Sequence, residues 1–140
     1  MPYEVLDHTA DAVVRGVGAS WEEAFAEAAR AMFSLMVELD QVELKETVEI
    51  KASAEDLGAL LVAWLGELLT QRDLRGMVFA RFRPRIYRTQ QGWRLVGQAH
   101  GEALDRARHR LGVEVKAATY AGLKVEEKDG RYLAQCVVDL

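Results

Sequence analysis

The chain has one cysteine, three histidines and no asparagine among its 140 residues. A lone Cys136 excludes an internal disulfide, so a reducing cytoplasm is the expected setting. Cys136 falls in an apolar strand pattern and reads as a buried structural thiol. His8, His100 and His109 stand at no zinc-ligand spacing to one another or to Cys136. There is no Gly-x-x-x-x-Gly-Lys-Ser/Thr loop, no Gly-x-Gly-x-x-Gly and no serine in a nucleophile elbow, which leaves the usual nucleotide-binding enzymes and serine hydrolases unsupported. Met1-Pro2-Tyr3-Glu4 lacks the basic start and apolar run of a signal peptide. The most apolar stretch, Leu57 to Leu69, carries Glu67 and is too short to span a bilayer. The ingredients of independent catalysis are thin, and the chain is expected not to be an enzyme.

What is present fits one domain over residues 1–140, long enough to bury a core without staples. Half the residues are hydrophobic and 29% are charged. The net charge of −4 argues against a dedicated nucleic-acid binder but leaves room for a local basic patch. Thirteen of the eighteen basic residues are arginine, compatible with a thermophilic or GC-rich source.

Periodicity predicts two helices. Ser20 with Glu23 makes a capping box ahead of the stripe Trp21, Phe25, Ala28, Met32 and Met36. Ser53 with Asp56 marks a second helix start ahead of Leu57, Leu61, Trp64, Leu65 and Leu68, with residues 72–76 as the loop after it. Strands are predicted at Tyr3 to Leu6, Ala12 to Val17, Gln41 to Lys51, Met77 to Tyr87, Trp93 to Ala99, Glu114 to Ala117, Gly122 to Glu126 and Arg131 to Asp139. Pro84 implies an edge or a bulge, Asp129-Gly130 marks a tight hairpin, and the polar residues 102–110 read as a loop with at most a short helix. The fold class is α+β, two helices on a largely antiparallel sheet.

The candidate chemistry is oxygen chemistry at the two ends. Asp7 and Asp11 open the chain beside strand-like residues, and Asp139-Leu140 closes it. Alternation puts Asp139 on a face with Leu133 and Val137, where a bare charge needs a partner. If the termini meet, these carboxylates and the terminal one repel, and a divalent cation would relieve them. Hard oxygen donors suit calcium, magnesium or manganese. The competing reading is a turn cap and a terminal residue of no function. His8 reads either as an orienting or proton-donating side chain or as a tether, and Lys116 as a neutralising, phosphate-binding or merely solvated lysine. Arg81, Arg83 and Arg85 share one strand face that would suit RNA phosphate or an acidic protein, or simply keep a sheet face solvated.

Taken together, these segments resemble the archease family along nearly the whole chain. The resemblance is carried by Asp7-His8-Thr9-Ala10-Asp11, Ser20-Trp21-Glu22-Glu23-Ala24-Phe25, Asp56-Leu57 through Leu68-Leu69, Gly101-Glu102, Val115-Lys116-Ala117-Ala118-Thr119-Tyr120 and Val138-Asp139-Leu140. It implies a non-enzymatic accessory protein of the RtcB-type RNA ligase in tRNA splicing and RNA repair. Such a protein promotes guanylylation and multiple turnover of the ligase, and meets RNA and GTP through it. It also implies a metal ion, calcium first, on Asp11, Asp139 and Leu140, with Asp7, His8 and Lys116 in support. Ala121 stands where the family commonly has histidine. The alternative function is a general chaperone or an RNA-binding modulator working through the arginine face.

Overall fold

The computed structural model describes residues 2–7 and 10–140, with Leu6 and Asp7 described through their backbone alone. Two antiparallel sheets enclose a layer of two helices. The first sheet contains β1 (Tyr3–Asp7), β2 (Asp11–Gly18), β6 (Ala117–Ala118), β7 (Lys124–Lys128) and β8 (Arg131–Asp139), with β8 between β2 on one side and β6 and β7 on the other. The second runs in the order β3 (Glu46–Ala54), β5 (Gly92–Ala103), β4 (Met77–Thr89). The α+β expectation holds, with the antiparallel strands divided between two sheets.

The helices α1 (Trp21–Met36) and α2 (Leu57–Arg75) each contact strands of both sheets. That placement explains why α1 buries a wide arc, from Ala24 and Phe25 through Ala28, Ala29, Met32, Phe33 and Met36. The small side chains admit close approach: a Cβ on Gly16 of β2 would lie 2.0 Å from the Ala24 carbonyl oxygen and 2.3 Å from the Ala28 nitrogen. Only hydrogen fits between strand and helix there. Against the other sheet, Phe33 meets Phe79 edge-on at 5.6 Å and Trp64 meets Phe82 edge-on at 6.2 Å. The Trp64 indole N–H, fully buried, donates to the Phe25 carbonyl at 3.1 Å and ties the helices together.

Helix ends follow local chemistry. The Ser20 hydroxyl accepts from the Glu23 amide at 3.1 Å, while the Glu23 carboxylate accepts from the Ala19 amide at 3.3 Å, one residue beyond the Ser20 amide of a reciprocal box. For α2 the cap is Asp56 itself, which accepts from the Ala59 amide at 2.8 Å; Ser53 belongs to β3. The helix continues through Arg75, where a loop was expected, and stops at Gly76 with φ 61°. β3 begins at Glu46 rather than Gln41, because residues 39–41 form a 3-10 turn and Val42 and Leu44 lie outside the ladder. Pro84 does sit on an edge strand, and the register shift falls between Phe79 and Arg81 instead. Asp129 and Gly130 both take positive φ, 54° and 79°, as a tight hairpin requires.

The segment 104–116 acts as a strap. Its backbone amides at Gly112 and Val113 donate to the Met36 and Leu35 carbonyls, both at 2.9 Å, so it completes the C-terminal end of α1. Val115 is fully buried, and its carbonyl accepts from Arg72 at 2.9 Å. The strap thereby delivers Lys116 and β6 to the last strand.

Candidate functional site

Antiparallel pairing of β2 with β8 sets Asp11 directly opposite Asp139. The Leu140 amide donates to the Ala10 carbonyl at 3.1 Å, one residue further along the ladder. The alternation of an antiparallel pair therefore makes Asp11 and Asp139 a non-hydrogen-bonded couple, the kind whose side chains lie closest. On the other side of β8, Ala117 pairs with Asp139, and the Lys116 amide donates to the Asp139 carbonyl at 2.8 Å. The start of β2 and the last residues are thus held together at one end of the first sheet by backbone bonds, with Leu140 half-buried against the core, whereas Pro2, whose carbonyl accepts from the Val17 amide, lies at the opposite end of that sheet.

One premise of the sequence reading needs correcting. The face that Asp139 shares with Leu133 and Val137 is the outer one; Ala134, Cys136 and Val138 face the helices. Asp139 is exposed and Asp11 half-exposed, so their charges are not buried. What sets them apart is that two carboxylates oppose each other across a strand pair, which is unfavourable in itself. Among the described residues no three histidine, cysteine, aspartate or glutamate side chains converge as a cation site. The candidate donor set is the two carboxylates with a backbone oxygen of Leu140, all hard oxygen. That chemistry fits an alkaline-earth ion completed by water, and Asp139 is open enough for water to reach it.

Asp7 pairs through its backbone with Ala12, and its side chain lies outside the described part. His8 lies outside the described residues altogether. Lys116 is exposed and stands before the two-residue β6 rather than within a longer strand, because Glu114 and Val115 belong to the strap. Ala121, also exposed, pairs its carbonyl with the Val137 amide at 3.0 Å.

Residues 3–140 match the archease protein family. The protein archease of Methanopyrus kandleri is 44% identical over the whole of both chains. That of Thermococcus gammatolerans is 45% identical, covering 99% of this chain and 98% of its own. This chain belongs to the archease family. The solution structure of protein 1598 from Methanobacterium thermoautotrophicum, 35% identical, superposes with a TM-score of 0.87 over 99% of each chain. The crystal structure of an archease from Thermotoga maritima, described as a possible chaperone, shares the fold at a TM-score of 0.61 with 22% identity, covering 96% and 94% of the two chains.

The archease fold here also contains a polar cluster that sequence reasoning did not single out as a site. Glu102, 3% exposed, accepts from the Glu43 amide at 2.7 Å, from the Arg108 guanidinium and from His109 at 2.9 Å. The His109 Nδ1 accepts from the Asp105 amide at 2.9 Å, so the ring proton sits on Nε2 and is donated to Glu102. The Arg108 bond first, then the Glu43 amide, hold the Glu102 carboxyl far below the usual range. Arg108 also donates to the Gln41 carbonyl at 2.8 Å. This cluster clamps the start of the strap. Residues 102–110 read as loop, whereas β5 continues through Ala103 and carries Glu102; the rest, without periodicity, gives no sign of which of its side chains turn inward. Cys136 is buried as expected, and burial pushes its thiol up to about 12, so it stays protonated and unreactive at neutral pH.

Among the described residues, no helix is long and apolar enough to cross a membrane.

Proposed function

We propose that this chain is an accessory protein that activates an RtcB-type RNA-splicing and RNA-repair ligase, promoting guanylylation of the ligase and its multiple turnover. In this reading it works by presenting a divalent cation, calcium first and magnesium or manganese next, held by Asp11, Asp139 and Leu140. The observation that supports it is the opposition of Asp11 and Asp139 at the sheet end where Leu140 is anchored to Ala10. Membership of the archease family supports it independently.

Bound there, the cation would contribute positive charge to a site handling a nucleoside triphosphate. The chain's own part is positioning. β2 and β8 hold the two aspartates in register, and the backbone bonds of Leu140 and Lys116 fix the last residues, which in most chains are mobile. In this reading Lys116, which follows the buried anchor Val115, balances anionic groups near Asp139.

The test is a ligation assay with an RtcB-type ligase, GTP and RNA ends, with this chain added at substoichiometric amounts. Labelled GTP follows guanylylation of the ligase. Turnover should rise with the parent chain and stay at the ligase-alone level with Asp11→Ala or Asp139→Ala. Equal stimulation by both variants would remove the carboxylate pair from the mechanism. No stimulation by the parent would remove the ligase reading itself.

A further inference from the structure

The outer face of the second sheet concentrates positive charge in an otherwise acidic molecule. Arg81, Arg83 and Arg85 occupy alternate, exposed positions of β4, and the register with β5 and β3 adds Arg94 and Lys51 to the same face. Alternate strand residues repeat at about 6.8 Å, so the three arginines form a straight row roughly 14 Å long. Elsewhere Arg15, Arg30, Arg72 and Arg108 each pair with a carboxylate. Arg81, Arg83, Arg85 and Arg94 make no ion pair among the described residues. The carboxylate that shares their face, Glu49, is held by Lys51 at 3.4 Å.

A protein partner would need an apolar centre around which the charges form a rim. Here the aliphatic contribution is Val96, set among polar neighbours. What the face does offer is Tyr87, 46% exposed and paired with Arg94 at the end of the arginine row. A linear row of guanidinium groups with an exposed aromatic ring beside it combines charge for a phosphodiester backbone with a stacking surface for a base. His100 adds a third feature. It bonds Thr47 through Nδ1 at 2.9 Å and has no partner for its buried Nε2, and burial with the adjacent Arg83 and Arg81 lowers its pKa, which favours an uncharged ring.

We propose that this face binds single-stranded nucleic acid, with Arg81, Arg83, Arg85 and Arg94 on the phosphates and Tyr87 against a base. The surface lies on the second sheet, whereas the carboxylate pair belongs to the first, so the proposal stands or falls separately from the ligase reading. Because the whole chain carries a charge of −4, affinity rests on this local row and is strongly salt-dependent.

The test is fluorescence anisotropy of a labelled oligouridylate titrated with the full chain at several salt concentrations, from about 50 mM upward. The variants are Arg81→Gln/Arg83→Gln/Arg85→Gln, Tyr87→Ala, and Arg131→Gln on the β7–β8 hairpin as an off-face control; thermal melts confirm that each folds. The triple variant should bind at least about tenfold more weakly and lower the slope of log K against log salt by about 2. Tyr87→Ala should weaken binding by about tenfold, and Arg131→Gln should leave it unchanged. Failure of the parent chain to bind at low salt, or unchanged binding by the triple variant, would overturn the proposal. So would polyglutamate of equal charge displacing the RNA as well as unlabelled oligouridylate does, since that would make the face a surface for acidic protein.

Discussion

Glu102 and Asp139 are both carboxylates at the C-terminal end of a β-strand, yet the fold treats them in opposite ways. Glu102 is sealed among the Glu43 amide, Arg108 and His109, and its charge is answered wholly by the protein. Asp139 stands in solvent opposite a second aspartate, and its backbone, not its charge, is what the fold holds. A buried charge must be paired within the fold, whereas a charge left in solvent beside a like charge is available to something from outside. The first arrangement secures the strap 104–116; the second is what the strap, through Lys116 and β6, helps to hold in place.

The largest effect should come from breaking the sealed cluster. Glu102→Ala leaves the Arg108 guanidinium, the His109 ring and the Glu43 amide without their shared acceptor and loosens the strap. Its melting midpoint should fall by roughly 10 °C, read by circular dichroism. A shift within experimental scatter would show that solvent replaces the cluster without loss.

Next in size is the response to cation. If calcium binds the folded chain at the terminal carboxylates, adding it at about a hundredfold excess over its Kd stabilises the fold by about 2.7 kcal/mol. Thermal melts with and without calcium should show that gain for the parent and for a variant altered only on the arginine face. Asp11→Asn and Asp139→Asn should lose it. A gain that survived both substitutions would place the cation elsewhere.

A third prediction separates the two carboxylate settings by pH. The folded-state pKa of Glu102 lies below its ordinary value of 4.5, so its contribution is complete above that pH and is lost as pH falls through the folded value. Between about pH 4.5 and pH 3 the parent should therefore lose stability more steeply than Glu102→Gln, by the uptake of about one proton on unfolding. Denaturant titrations across that range measure the difference. Equal slopes would mean that Glu102 is not held in its charged form by the cluster.

The two regions also differed in how much of them could be read from the sequence. Strand alternation and the family motif named Asp11, Asp139 and Leu140, because their signal is local: a strand start, a strand end and a chain end. Alternation grouped the two faces of β8 correctly, but both carry apolar residues, so it could not say which met the helices, and the Asp139 charge lies in solvent rather than among apolar groups. The strap was missed for a different reason. Its order comes from bonds to α1 and α2, such as Gly112 to Met36 and Arg72 to Val115, between residues far apart in sequence and without periodicity of their own. The same applies to the end of α2, where the mostly charged residues 72–75 read as loop but continue the helix, with Arg72 serving as the anchor for the strap.

The smallest predicted effect bears most directly on why Asp139 is there. In the absence of divalent cations, two aspartates facing each other in a non-hydrogen-bonded pair repel, and like charges so placed lower stability by a few tenths of a kcal/mol up to about 1 kcal/mol. Asp139→Asn keeps the shape and the backbone bonds while removing one of the charges. In chelator it should raise stability by about 0.5 kcal/mol, and lower ionic strength should enlarge the gain. A residue kept for folding would behave in the opposite way, its removal costing stability at every salt concentration. Chemical denaturation of the two proteins in chelator, at low and high salt, distinguishes these outcomes. A destabilised Asp139→Asn would mean that the terminal carboxylate is answered inside the fold as Glu102 is, and the contrast between the two regions would disappear.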